Sequence, residues 1–188
     1  MIVMLEIDQC HLDLLSGLVK CSKPKDVLEL GFGSGKSVKS LLDALEYNQT
    51  DYNYTLVENW IDWGRQPQMD KLEFMKQYKS VKVVCADELQ FVFGTSDTYD
   101  FILSDADHWN TDKWFEYVFT RRLNPGGILV YHDVSLGPEK VDLYFKNLDY
   151  IYHRCKELGL HFLHMNKSTR PDEKCERGLL IIFKDSNE

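Results

Sequence analysis

The chain has 188 residues, of which 30 are acidic and 22 basic, for a net charge of −8. A chain this long buries about 70% of its unfolded surface. With 44% apolar and 13% aromatic residues, it is globular and not disordered, and its acidity, with no basic run denser than Arg121-Arg122, disfavours nucleic acid.

Cys10, Cys21, Cys85, Cys155 and Cys175 are odd in number and form no C-x-x-C pair, which reads as reduced thiols. The opening "MIVMLEIDQCH" lacks the basic leader of a secretory signal. No apolar run reaches the length that spans a bilayer. The expectation is a soluble, cytoplasmic, single-domain protein over residues 1–188.

In chain order, residues 11–20 place apolar side chains at 12, 14, 15, 18 and 19, a helical stripe. Residues 26–30, "DVLEL", are a short buried strand stopped by Gly31. Residues 37–47 form an amphipathic helix and 54–59 a second strand. A helix is expected over 67–78, with Pro67 at its opening, where its missing N–H costs nothing. Strands follow at 81–87 and 99–105, a helix at 111–123, and a fifth strand at 127–133 behind the turn "NPGG". A long helix is expected over 138–158, then strands at 160–165 and 178–183. Apolar strands alternating with helices indicate a Rossmann-like α/β fold, a doubly wound, mostly parallel seven-stranded sheet covered on both faces. The last two strands have only a loop between them and pair antiparallel.

The stretch "VLELGFGSGKS", Val27 to Ser37, sits where such a fold binds a nucleotide. A phosphate-wrapping P-loop needs a glycine at position 30, which is Leu. A dinucleotide fingerprint needs a glycine at 36, which is Lys. What remains is Glu29, Gly31, Gly33 and Gly35 in an E-x-G-x-G-x-G turn. Glycines let the backbone turn tightly and let a ligand lie against it. Glu58 then stands at the end of the second strand, placed for ribose hydroxyls, and Asp87 at the end of the third, placed for an adenine amino group. Either acid alone could be a helix cap; their joint placement favours the ligand. Trp60 could stack on adenine.

The run "VLELGFGSG", with these acids, resembles the first motif of the class I S-adenosylmethionine-dependent methyltransferases, and "LNPGGILV" resembles their fifth strand. The resemblance implies S-adenosylmethionine as cofactor, ribose binding by Glu58 and adenine binding by Asp87 or Glu88. The stretch "DADHWNTDKWFEYVFTRRLNPGGILVYHDV" is similar to a branch of small-molecule O-methyltransferases with Asp-Gly-Asp-His after strand four and His-Asp after strand five, here with Ala106 in place of glycine. The Asn-Pro-Pro or Asp-Pro-Pro run of nucleic-acid base methyltransferases is absent.

The residues themselves also point to a site. Asp105, Asp107 and His108 leave strand four and His132 and Asp133 leave strand five, neighbouring strands that end at the rim of the glycine loop. Asp105, His132 and Asp133 are candidate ligands for Mg2+ or another divalent cation, which would activate an acceptor hydroxyl. Asp105 is also a candidate catalytic and cofactor-contacting residue, and His108 a candidate general base. Alternatively Asp105 caps the following helix and His132 packs in the core. Trp109 could wall an acceptor pocket; Trp114, inside a helix, reads as core. A zinc site from His153, Cys155, His161, His164 and Cys175 is disfavoured by spacing.

The sequence therefore predicts O-methylation of a small hydroxylated compound. A metal-free methyltransferase acting on an amine or protein side chain, and a non-catalytic cofactor-binding subunit, stay as alternatives. The chain is short for this fold, which leaves room for a homo-oligomer to complete the acceptor pocket.

Overall fold

A computed structural model of the chain describes residues 7–59, 72–106, 110–134, 146–165 and 178–187. Among them, seven strands join one sheet: β1 (Asp26–Leu30), β2 (Asn53–Glu58), β3 (Val81–Cys85), β4 (Tyr99–Ser104), β5 (Leu123–His132), β6 (His161–Met165) and β7 (Leu179–Phe183). Their order is β3-β2-β1-β4-β5-β7-β6. The first five are parallel, and β7 runs antiparallel between β5 and β6. The sheet is thus the doubly wound sheet that alternating apolar strands and helices predict.

Successive side chains of a strand point to opposite faces, which divides the core in two. Val27, Phe101, Leu103, Val130 and Ile181 pack with α1 (Gln9–Ser22) and α2 (Lys36–Asn48). Leu28, Leu30, Ile102, Leu129, Tyr131 and Ile182 pack with α3 (Glu88–Gly94), α4 (Thr111–Arg121) and α5 (Lys146–Glu157). Trp114 is wholly buried in this second layer, the core role expected of it.

Three elements depart from the sequence reading. In place of a regular helix over 67–78 there is a 3-10 turn, Glu73–Gln77, in which only Met75 is fully buried; 67–71 lie outside the described residues. Leu72, Phe74 and Tyr78 pack only partly buried against the first core layer beside Met75, which gives an amphipathic α-helix little to sustain it. The helix α3 has no counterpart in the sequence reading. Strand β5 begins at Leu123, and "NPGG" lies within it. Its pairing jumps from Tyr99–Leu123 to Phe101–Ile128, so the surplus residues bulge out of the ladder. The helix expected over 138–158 is helical where it is described, Lys146–Glu157, as α5; 138–145 lie outside the described residues.

No helix among the described residues is long and apolar enough to cross a membrane. The parallel strands β1, β2, β4 and β5 end at one rim, and there the candidate residues gather.

Candidate active site

The turn after β1 is built by contact with the exit of β4. Gly31 donates its N–H to the Val57 carbonyl, and Asp105 donates its N–H to the Leu30 carbonyl, each at 2.9 Å. A Cβ on Gly31 would stand 2.4 Å from the Asp105 carbonyl oxygen, so only glycine allows the two strand exits to meet. Gly31 also has φ +100°, a region that side chains avoid. Gly33 differs: it is exposed, has φ +50°, and a Cβ there would meet nothing within 4 Å. Its face of the loop is open, as ligand approach requires. Gly35 precedes the first turn of α2, with the Phe32 ring folded against it. The half-buried Glu58 accepts the Phe32 backbone N–H at 2.6 Å, which brings the end of β2 to the same loop.

Beyond β4 and β5 the acids converge. His132 is buried, and its Nδ1 lies 3.0 Å from Oδ1 of Asp105 and 3.4 Å from Oδ1 of Asp133. Asp133 has φ +64°, a left-handed conformation that aspartate tolerates better than most residues. It is 5% exposed, whereas the Asp105 side chain keeps 25% of its surface open. One ligand atom from each of the three lies within 4.8 Å of the others. This donor set, an imidazole nitrogen between carboxylate oxygens, fits a divalent cation. The nitrogen suits a transition-series ion better than Mg2+. His108, Asp107 and Trp109 lie outside the described residues, as does Trp60.

A family profile described as a methyltransferase domain matches residues 28–134, from the strand before the glycine turn to the residue after Asp133. The chain belongs to that methyltransferase domain family. No curated protein sequence matches it. Among solved structures it is similar to a Klebsiella pneumoniae protein proposed to be an O-methyltransferase, at 18% identity and TM-score 0.76, over 96% of this chain and 82% of that one. It is similar to an O-methyltransferase of Bacillus cereus in complex with SAH, at 16% identity and TM-score 0.75, over 95% and 83% of the two chains. It is also similar to the O-methyltransferase TomG of Streptomyces achromogenes in complex with SAM, at 16% identity and TM-score 0.74, over 96% and 82%. At these identities the likeness establishes a shared fold.

Within this methyltransferase two residues expected to contact the cofactor also make hydrogen bonds within the protein. Glu29 is wholly buried. Its Oε1 accepts the Ser37 hydroxyl at 2.5 Å and its Oε2 the Tyr54 hydroxyl. It therefore ties β1 to β2 and to the first turn of α2 from beneath the loop. Burial pushes its pKa up to about 8; the Ser37 and Tyr54 hydrogen bonds oppose the rise and the nearby Asp105 charge adds to it. Asp87 caps α3, its Oδ1 accepting the Gln90 N–H at 2.9 Å. Its neighbour Glu88 is buried, at 6% exposure.

The disfavoured zinc cluster does not assemble among the described residues. His164 Nε2 lies 2.7 Å from the Val134 carbonyl oxygen, and Cys155 is buried in the second core layer, its thiol pushed up to about 12 by desolvation. Cys175 lies outside the described residues. One polar residue of the rim was missed entirely: His11, buried on α1, whose Nδ1 lies 3.2 Å from Nε2 of His132. At the head of an apolar stripe it carries no chemical signal of its own.

Proposed function

We propose that the protein is a cytoplasmic enzyme that methylates a hydroxyl group of a small molecule, with S-adenosylmethionine as donor and a divalent cation at the rim. The observation that carries this reading is the contact between the two half-sites: Gly31 of the cofactor loop abuts the carbonyl of Asp105, the first residue of the acidic cluster. A donor on the open Gly33 face and an acceptor at Asp105 would lie side by side. Methyl transfer is an in-line displacement, so proximity and alignment supply much of the rate.

In this reading Gly31, Gly33 and Gly35 shape the loop, and Glu58 accepts ribose hydroxyls while holding Phe32. Glu88 or Asp87 borders the adenine, with Trp60 against its face. Asp105, His132 and Asp133 hold the cation, which when bound would lower the pKa of an acceptor hydroxyl. His108 takes the acceptor proton as general base. Asp105 also orients the acceptor. The acidic surface, with net charge −8, favours a small acceptor over nucleic acid.

The test is titration calorimetry with S-adenosylmethionine, followed by turnover on a panel of catechols and other hydroxylated compounds, with and without divalent cations. Binding together with cation-dependent methylation supports the reading. Cation-independent transfer to an amine or a protein side chain would replace it with the metal-free alternative. Binding without turnover on either panel would favour a cofactor-binding subunit.

A further inference from the structure

Asp8, Cys10 and His11 form a second group of metal-type donors at the start of α1, outside the acidic cluster described above. One ligand atom from each lies within 4.8 Å of the others. Asp8 and His11 are buried, at 1% and 0% exposure, and Cys10 is half-buried. Their spacing explains the assembly. Asp8 is the N-cap of α1, with an extended backbone, and its carbonyl accepts the Leu12 N–H at 3.0 Å. His11 is the third helical residue. Side chains at those two positions approach each other at the mouth of a helix, and Cys10 lies between them in sequence.

The Asp8 side chain does not take the ordinary role of an N-cap aspartate. Its carboxylate makes no capping hydrogen bond to the first turn. It lies instead beside a thiol and an imidazole, enclosed. Buried carboxylates occur where they are paired or hold a metal. The donor set is also selective: thiolate and imidazole suit Zn2+, whereas Mg2+ and Ca2+ take oxygen ligands. A carboxylate and a thiolate together cancel the charge of a divalent ion, which suits an enclosed place. Zinc bonds of about 2.0–2.3 Å put tetrahedral ligand atoms roughly 3.3–3.8 Å apart, so small side-chain rotations would close this group on an ion. The half-open Cys10 side supplies a path of entry, and the fourth position falls to water.

We propose that Asp8, Cys10 and His11 bind a thiophilic divalent ion, Zn2+ by preference, at a site separate from Asp105, His132 and Asp133. The ion would fasten the start of α1 where His11 meets His132 of β5, their ring centroids 5.2 Å apart. This inference depends neither on the methyl-transfer reading nor on an ion at the acidic cluster, which contains no sulfur.

The experiment is titration of the whole reduced chain with Co2+, followed by absorption, then by displacement with Zn2+. The wild type should develop a sulfur-to-cobalt charge-transfer band that Zn2+ erases. The band should be lost in Cys10→Ser and should need more Co2+ in Asp8→Asn, two near-isosteric changes whose folding circular dichroism would check. It should persist in Cys21→Ser and Cys85→Ser, which remove the exposed thiols, and in Asp133→Ala, which disables only the acidic cluster. A wild type without the band would overturn the proposal, and that result needs no variant. So would a band retained in folded Cys10→Ser, or one with an unchanged Co2+ midpoint in folded Asp8→Asn. Cobalt binding that lacks the band and disappears in Asp133→Ala would leave the acidic cluster with its ion and reject the site on α1.

Discussion

The carboxylate of Glu58, at the end of β2, holds the backbone N–H of Phe32 in the glycine loop at 2.6 Å. A carboxylate has acceptor capacity for several donors, so the same group can hold the loop and take ribose hydroxyls. Glu58→Ala would leave the Phe32 N–H and the ribose hydroxyls without that acceptor. Hydrogen bonds to a charged group are worth about 1.5–3 kcal/mol, or roughly one to two decades of affinity. Calorimetry should show S-adenosylmethionine binding weakened by that factor in Glu58→Ala and by less in Glu58→Gln, which keeps an acceptor oxygen. A change under threefold in Glu58→Ala would leave Glu58 as a loop brace only.

Two glycines of the same turn should fail in different ways. A Cβ on Gly31 collides with backbone at Asp105, which cannot swing aside, so Gly31→Ala should lose roughly 3 kcal/mol of stability in urea denaturation. Gly33 has open space around it. Gly33→Ala carries only the cost of a left-handed side chain, roughly 1–2 kcal/mol, and should fold. Its methyl group would occupy the face where the cofactor is expected, and S-adenosylmethionine binding should be lost. Wild-type affinity in Gly33→Ala would move the cofactor off this loop.

Glu29 makes a prediction in pH. Its folded pKa of about 8 stands above its ordinary 4.5. Between those values the folded protein retains a proton that the unfolded chain has released, so stability falls as pH rises across that window and levels off above it. The slope is at most on the order of 1.4 kcal/mol per pH unit. Glu29→Gln, which cannot ionise, should flatten the dependence, and its stability relative to wild type should improve from pH 5 to pH 8. Parallel urea-midpoint curves for the two proteins would mean that Glu29 ionises normally.

Asp133 separates chemistry from cofactor binding. It is a cluster residue on the β5 side, while the glycine loop belongs to β1. Asp133→Ala, or chelation by EDTA, should abolish methyl transfer and leave S-adenosylmethionine affinity within about threefold. His108→Ala should slow transfer by about 10²–10⁴, less at high pH, where an acceptor hydroxyl ionises unaided. Full turnover in EDTA would remove the cation from the mechanism.

The sequence made the frame of this protein legible because apolar strands and amphipathic helices announce themselves by period. It also made the convergence of Asp105, His132 and Asp133 legible, since the ends of neighbouring parallel strands share a rim. It was less informative where a residue's role depends on an enclosed partner. Glu29 reads as part of a ligand motif, and nothing local reveals that Ser37 and Tyr54 occupy its oxygens. Asp87 reads as a strand-end acid because α3, at seven residues, is too short to display a helical period. Its cap onto Gln90 was the available sign. His11 reads as one more residue of a buried stripe, since only the folded chain brings α1 to β5.

The unequal ownership of the two sheet faces has a consequence for the chain during synthesis. The layer containing Val27 is covered by α1 and α2, which end at Ser22 and Asn48. The opposite layer, with Leu28, Leu30 and Val57, waits for α4 and α5. A ribosome adding about 5–20 residues per second leaves that greasy surface uncovered for several seconds. The nascent chain is thus half-dressed until α5 is made, and that interval is when a chaperone would be of most use to it.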